Sequence, residues 1–148
     1  MSVQVRPLGD KDFFSWLGLF EGYSEFYEST LTDAKALRVW SWIIDKNHDL
    51  TGAVAVNDEG EFVGLAHYRE FPRTLNADMG LFLDDLFVAP DARGAGVGKA
   101  LMEFVKGYAG EHKLSQVQWL TAADNETAQV LYDEVATRTD WVTYEMDL

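Results

Sequence analysis

The sequence predicts one α/β domain with a mixed, mostly antiparallel central sheet and helices on both faces. The chain has 148 residues and no visible linker or repeat, so we expect a single domain over residues 1–148. Three apolar, strand-like segments in the middle of the chain are separated by short turns, which predicts antiparallel pairing. Strands then alternate with amphipathic helices, which predicts parallel crossovers.

The first half of the chain predicts a strand, two helices and a hairpin. Valines alternate with polar residues over 3–5, and apolar residues then recur at helical spacing over 13–27. A second helix is expected to begin after Thr32, whose hydroxyl can accept hydrogen bonds from free N–H groups of the first turn. Residues 52–56 and 62–68 predict two strands joined by a turn that contains Asn, Asp and Gly.

The second half predicts alternating strands and helices. Asp124 or Asn125 is expected to cap the last helix, and an aromatic-rich strand is expected to close the sheet. The predicted segments are a strand over 81–88, a helix over 97–108, a strand over 117–120, a helix over 128–135 and a strand from Trp141 to Met146.

Composition excludes several functional classes. Twelve Lys and Arg face 25 Asp and Glu, a net charge of −13. This argues against a broad nucleic-acid or anionic-membrane surface and is compatible with a cationic small molecule. The absence of cysteine excludes thiolate metal sites and a cysteine nucleophile, and the histidines show no metal spacing, so no metal is expected. Without an apolar leader or a run of about 18 apolar residues, a cytoplasmic protein is expected.

A glycine cluster between a strand and a helix is the most informative segment. Glycines there let a ligand approach the backbone, and the free N–H groups and dipole of a helix start attract an anion. Two cations flank the glycines, so we expect a phosphate site. The segment consists of Arg93, Gly94, Ala95, Gly96, Val97, Gly98 and Lys99.

The glycine spacing fits neither the P-loop nor the dinucleotide-binding fingerprint. It does match R-x-x-G-x-G, with Arg93, Gly96 and Gly98 in the three positions. This arrangement resembles the pyrophosphate signature of the GNAT superfamily of acetyl-CoA-dependent N-acetyltransferases, and the predicted element order resembles the GNAT fold.

Three further segments carry the resemblance. Residues 125–132 resemble the family's N-x-x-A-x-x-x-Y helix. Residues 83–88 and 141–144 resemble a strand and an ending found in the branch of diamine and polyamine acetyltransferases. The motifs are specific for acetyl-CoA and much less specific for the acceptor.

The resemblance implies roles for particular residues. The backbone of Leu86, Phe87 and Val88 would pair with the pantetheine arm of acetyl-CoA, and one N–H there would polarise the thioester carbonyl. The segment 93–99 would hold the pyrophosphate. Asn125 would contact the cofactor arm, and Tyr132 would protonate the leaving thiolate.

Amine acetylation also needs a proton acceptor, because an alkylammonium is almost fully protonated at neutral pH. Asp84 and Asp85 lie in an apolar strand, where carboxylates need partners. Adjacent strand residues face opposite sides unless a bulge intervenes, so either one binds the acceptor or acts as base, or both are structural. His67 lies in a strand and is either a satisfied core residue or an aid to proton transfer.

The first two helices usually shape the acceptor pocket in this family. Tyr23, Tyr27 and Glu28 combine aromatic faces with a carboxylate, which suits an ammonium group. They equally describe an ordinary amphipathic helix end.

The prediction is therefore an acetyltransferase that uses acetyl-CoA on a primary amine of a small molecule, such as a diamine, a polyamine or an amino-acid-like compound. Direct attack in a ternary complex needs no covalent enzyme intermediate. A protein or peptide acetyltransferase and a non-catalytic acetyl-CoA-binding module remain alternatives. A homodimer is possible by analogy with relatives.

Overall fold

The computed structural model describes residues 2–148, and this part of the chain forms five strands, four α-helices and one short 3-10 turn at Pro90–Ala92. Every segment predicted from the sequence is present except the last strand. The elements are β1 (Val3–Pro7), α1 (Phe13–Phe26), α2 (Asp33–Ile44), β2 (Thr51–Asn57), β3 (Phe62–Arg73), β4 (Asp78–Val88), α3 (Val97–Glu111), β5 (Val117–Trp119) and α4 (Glu126–Val135).

The strands form one sheet in the order β1-β2-β3-β4-β5. Antiparallel pairing joins β1 through β4, and β5 alone runs parallel to its neighbour β4. The predicted mixed, mostly antiparallel sheet is confirmed. The reason lies in the connections, because short turns join β2 to β3 and β3 to β4 while α3 crosses over between β4 and β5.

The sheet has a buried cluster of apolar side chains on each face. Leu101 and Val105 of α3 pack against one face, together with Tyr68 of β3 and Leu83 of β4. On the other face the cluster is more aromatic. It is formed by α1, α2 and the sheet, with Trp16, Leu19, Val54, Leu65 and Phe87 at its centre.

Two helices begin at the caps that the sequence indicated. The Thr32 hydroxyl accepts a hydrogen bond from the Lys35 N–H at 3.2 Å. Asn125, rather than Asp124, caps α4, and its side-chain oxygen accepts from the Ala128 N–H at 3.4 Å. These bonds satisfy donors that the first helical turn leaves free.

The predicted closing strand over Trp141–Met146 is wrong for this structure, which shows irregular chain from Ala136 to the end. Trp141 and Tyr144 are 89% and 91% exposed. Strand-like alternation forms a strand only where a sheet edge is available to pair with it. Here β5 has only three residues, so it offers the tail few backbone groups with which to pair.

No helix within residues 2–148 combines the length and apolar character needed to cross a bilayer.

Candidate active site

The glycine loop leaves open space beside its backbone. Gly94 and Gly96 have φ values of 82° and 81°, a left-handed conformation that costs other residues about 1–2 kcal/mol. A Cβ placed on either glycine would meet nothing within 4 Å. Glycine therefore serves the backbone conformation here, and it also keeps the approach to the loop clear for a ligand.

The start of α3 presents unsatisfied hydrogen-bond donors to that space. Gly96 occupies the N-cap, no side chain caps the helix, and its first turn has no acidic residue. The exposed cations Arg93 and Lys99 lie on either side of the cap. Free N–H groups, the helix dipole and two cations together form an anion site, so these residues fit the pyrophosphate of acetyl-CoA.

One edge of β4 is open next to this loop. The β4–β5 ladder ends where Leu83 meets Trp119, and no strand covers the following β4 residues on that side within residues 2–148. The Ala89 N–H bonds the Val63 carbonyl of β3 at 2.9 Å. Alternation along the strand therefore directs the N–H groups of residues 86 and 88 to the open edge.

Arg93 lies beside the C-terminal end of β4, where this open edge ends. Its Nε donates to the Val88 carbonyl at 3.2 Å, and its guanidinium lies over the rings of Phe26 and Phe87 at 5.4 and 5.8 Å. These contacts connect the glycine loop to α1 and to the end of β4. An extended arm along the open edge of β4 would end at the anion site.

A β-bulge in β4 brings both strand carboxylates to the α1 face of the sheet. His67 lies opposite Asp85, and the register then shifts, so Asp84 is an extra residue in β4. Asp84 bonds the Arg69 Nε at 3.0 Å and Asp85 bonds the His67 Nδ1 at 2.8 Å. Since His67 and Arg69 are two residues apart on β3, they share a face.

Three side chains from separate elements form a buried hydrogen-bonded chain. The Trp16 indole Nε1–H donates to His67 Nε2 at 3.0 Å, and both side chains are 0% exposed. An indole N–H is only a donor, so His67 Nε2 must be the acceptor. The proton of the imidazole therefore lies on Nδ1, which donates to Asp85. We call the Trp16–His67–Asp85 chain the relay.

The environment drives the pKa values of the two carboxyl groups apart. Burial alone raises the pKa of Asp85, but the hydrogen bond from His67, with a contribution from the Tyr23 hydroxyl, holds it below its usual value. Burial raises the pKa of Asp84 above its usual value despite the neighbouring Arg69. Asp85 is thus an ionised carboxylate at neutral pH, held in place by the relay.

A cavity of about 520 Å³ lies between α1, α2 and β4, a size typical of small-molecule sites. Asp85 lines it, together with Tyr23 and Tyr27 from the end of α1. Asp84 is not part of its lining. Glu28 is not either; it follows α1 with a φ of 53° and is exposed. Of the predicted acceptor residues, the two tyrosines and Asp85 are thus brought together.

Tyr132 of α4 lies at the side of this region. Its ring packs edge-on against Trp119 with the centroids 5.3 Å apart. Burial, followed by the nearby Tyr27, raises the pKa of its hydroxyl above the usual value. The hydroxyl is therefore protonated at neutral pH and available as a donor.

Asn125 uses its side chain within the protein. In addition to capping α4, its amide nitrogen lies 3.5 Å from the Thr121 hydroxyl. A contact between Asn125 and the cofactor arm stays a prediction.

Sequence reasoning missed Trp16 as a site residue and left His67 undecided. Both belong to apolar patterns that also describe ordinary core positions. Lys35 and Arg38 of α2 line the cavity as well, and they went unnoticed because exposed cations on a helix are common. The only sequence signal was that cations are scarce in this chain.

The sequence of the chain also matches a known protein family. The profile of the acetyltransferase (GNAT) family matches residues 16–136, from α1 to just beyond α4. The chain belongs to the acetyltransferase (GNAT) family. It is accordingly an acyltransferase, an N-acetyltransferase of a family that uses acetyl-CoA as the acetyl donor.

Two relatives extend the comparison. The acetyltransferase is 33% identical over 144 residues to the D-amino-acid N-acetyltransferase HPA3 of Saccharomyces cerevisiae, covering 97% of this chain and 89% of that protein. An uncharacterised N-acetyltransferase of Bacillus subtilis, YhfO, is 27% identical over 132 residues, with 89% and 87% covered.

Solved structures confirm the fold. A ribosomal-protein-alanine N-acetyltransferase from Brucella melitensis superposes with a TM-score of 0.82 at 21% identity, covering all of both chains. AAC(6')-Iy, in complex with the bisubstrate analogue CoA-S-monomethyl-acetylneamine, superposes with a TM-score of 0.85 at 19% identity, covering 100% of this chain and 99% of that one. The predicted GNAT fold is confirmed.

Proposed function

We propose that the acetyltransferase transfers the acetyl group of acetyl-CoA to a primary amine of a small molecule, by direct attack in a ternary complex. The observation that carries the proposal is a junction on β4. Asp85 lines the cavity, and the next residue, Leu86, directs its N–H to the open strand edge. An amine in the cavity and a thioester along the edge would meet at this point.

The acetyl donor would lie along β4 and end at the glycine loop. The N–H groups of residues 86 and 88 are free to pair with an extended arm, in the manner of an added strand. The N–H groups at the start of α3, with Arg93 and Lys99, would hold the pyrophosphate. Bound acetyl-CoA supplies the acetyl thioester.

In the reaction, a C–N bond forms between the amine and the acetyl carbon while the C–S bond to CoA breaks. The amine gives up one proton and the departing thiolate takes one, so the products are an amide and a thiol. A Leu86 or Val88 N–H is suited to stabilise the developing negative charge on the acetyl oxygen. No oxidant or covalent enzyme intermediate is required.

We assign proton acceptance to Asp85 rather than Asp84, because Asp85 lines the cavity whereas Asp84 is bonded to Arg69 outside it. As an ionised carboxylate it also attracts the acceptor in its ammonium form. We assign protonation of the thiolate to Tyr132, whose hydroxyl keeps its proton at neutral pH.

The class of acceptor amine that we propose is narrower than what membership of the family implies. Diamines and polyamines remain candidates from the sequence motifs, and the name of the yeast relative adds amino acids to the compounds to test. Acetylation of protein or peptide amines is the second candidate function; the ribosomal-protein-alanine acetyltransferase has the same fold.

Calorimetric titration with acetyl-CoA is the first test, and one site per chain at micromolar affinity is the expected result. A thiol assay over amines, amino acids and peptides then identifies the acceptor class, and since the chain has no cysteine the reagent reports released CoA alone. No binding at millimolar acetyl-CoA by folded protein would overturn the proposal. Turnover with peptides alone would replace it by the second function.

We further propose that the protein forms a homodimer through its C-terminal tail. Val142, Tyr144, Met146 and Leu148 are exposed and alternate with polar residues, a pattern typical of a strand that pairs. Light scattering should show a dimer for the whole chain and a monomer after deletion of residues 140–148. A monomeric whole chain would contradict this.

The cytoplasmic location also stays a prediction, testable by cell fractionation.

A further inference from the structure

Two cations line the acceptor cavity from α2. Lys35 and Arg38 are both part of its lining, and with a spacing of three residues they lie on the same face of the helix. Lys35 Nζ donates to the Thr30 carbonyl oxygen at 3.2 Å. Within residues 2–148, neither cation forms an ion pair, and the Arg38 guanidinium donates no hydrogen bond.

The two cations stand in a chain with more than two acidic residues for each basic one, 25 against 12. The only acidic side chain that the described lining contains is Asp85, which comes from the sheet and is already bonded to His67. The cavity therefore offers a ligand one negative group and two positive ones, on different elements.

The rest of the wall is mostly apolar. Phe20, Leu31, Val39 and Trp42 line it beside the tyrosines. An apolar wall between groups of opposite charge suits a small zwitterion with an apolar side chain, because each end meets its counter-charge and the side chain leaves water.

We propose that the acceptor amine also bears a carboxylate, as a free amino acid does, and that Lys35 and Arg38 bind this carboxylate while Asp85 binds the amine. The inference rests on the proposed function and specifies its substrate class. Arginine suits the task because its planar guanidinium matches a carboxylate with two parallel hydrogen bonds.

The same pair disfavours the acceptors that the sequence motifs suggested. A diamine or polyamine would bring a second ammonium group toward Lys35 and Arg38, where like charges repel. A peptide acceptor has no carboxylate next to its N-terminal amine. Free amino acids are therefore separated from both classes by one chemical group.

The decisive comparison is between an apolar amino acid and its carboxamide, for example leucine and leucinamide, with both enantiomers of each. Their side chains are identical, and only the carboxylate is neutralised in the amide. We expect kcat/KM for one enantiomer of leucine to exceed that for leucinamide by at least about tenfold, since charge-assisted hydrogen bonds are lost with the amide. The amide's less basic amine works against this result, which makes the preference more diagnostic.

A double variant, Lys35→Gln with Arg38→Gln, should reduce the leucine to leucinamide ratio to near one by raising KM for leucine. Arg38→Lys in the wild-type background should keep part of the preference. Lys106→Gln is the matched control, since Lys106 is an exposed cation of α3 on the opposite face of the sheet, and its ratio should not change. Thermal melting checks that all variants are folded.

The outcomes separate the inference from the function on which it rests. Equal or faster turnover of leucinamide or a polyamine overturns the inference and leaves small-molecule acetylation standing. An unchanged ratio in the double variant overturns the role of the two cations. No turnover with any free amine, by protein that binds acetyl-CoA in calorimetry, overturns the proposed function itself.

Discussion

The relay and the glycine loop are two parts of the candidate active site, and they differ in whether their hydrogen-bonding groups have protein partners. In the relay, the Trp16 Nε1–H, both ring nitrogens of His67 and one carboxylate oxygen of Asp85 have protein partners, and Trp16 and His67 are fully buried. In the glycine loop, the backbone donors at the start of α3 have no side-chain cap, and the space around Gly94 and Gly96 is empty. The relay is therefore preorganised by the protein, whereas the loop leaves its backbone donors without a side-chain partner and accessible to a ligand.

This difference separates two kinds of mutational effect. Changes at Trp16 or His67 should affect both folding and turnover, because these two side chains are fully buried and also hold Asp85. Changes at Gly94 and Gly96 should affect ligand binding more than folding, since a Cβ placed on either glycine would meet no protein atom within 4 Å. The following predictions test that contrast from the largest expected effect to the smallest.

Asp85→Asn should lower kcat/KM for the acceptor by about 100-fold or more, the range typical for loss of an acid–base group. The amide oxygen can still accept from His67, so unfolding by urea should change little. Loss of attraction for the ammonium raises KM, and loss of the proton acceptor lowers kcat.

Asp84→Asn is the control for Asp85→Asn and should retain most of the activity.

The pKa of Asp85 is lower than that of an ordinary aspartate. Its carboxylate therefore stays ionised when the pH falls to the ordinary pKa of aspartate. Wild-type kcat/KM should then show no acid limb from Asp85 above about pH 5. Wild-type activity in Asp85→Asn would remove Asp85 from the mechanism.

Gly96→Val should weaken acetyl-CoA binding by about 10- to 100-fold in calorimetry. A β-branched side chain disfavours the left-handed backbone, which costs at least about 1–2 kcal/mol to restore on binding, and it also occupies the approach to the loop. Gly60→Val is the matched control. Gly60 has a φ of 80° and open space around it, but it lies in the turn between β2 and β3. Equal affinity of both variants would contradict the assignment of the loop.

Tyr132→Phe should slow turnover at least about tenfold, because a hydroxyl that donates a proton in the transition state is lost. The dissociation constant for acetyl-CoA should stay nearly the same, since the ring still packs against Trp119. Steady-state kinetics and calorimetry on the same preparation measure both. Unchanged turnover would mean that another group or water protonates the thiolate.

Trp16→Phe should reduce the free energy of unfolding by about 1–3 kcal/mol more than Trp40→Phe does, the cost of leaving buried His67 Nε2 without a donor. Both tryptophans belong to the same aromatic cluster, with ring centroids 5.0 Å apart, but Trp40 is only partly buried, so the deeper burial of Trp16 adds to the difference. Urea denaturation measures the difference. Turnover should also fall in Trp16→Phe alone, and equal stability losses would show that the relay's first hydrogen bond contributes little.

The glycine loop was predictable from local sequence because its function depends on the backbone. The spacing of Arg93, Gly96 and Gly98 specifies a left-handed turn, a helix start and adjacent cations, all within a few residues. The two helix caps at Thr32 and Asn125 were predictable for the same reason. The conformation of the tail over 141–146 was not predictable from local sequence. Alternation of apolar and polar residues indicates that a segment can pair as a strand, but it does not indicate whether a sheet edge is available to it.

What the sequence by itself determined is thus the order of elements from β1 to α4, the glycine loop at the start of α3 and the family. Only the tertiary structure decided how the acceptor side is arranged. Trp16 and His67 are 51 residues apart and His67 and Asp85 are 18 apart. The bulge at Asp84 places both carboxylates on one face of the sheet, where Asp85 lines the cavity. Local patterns record backbone preferences, but a hydrogen-bonded chain across three elements exists only once the sheet has brought them together.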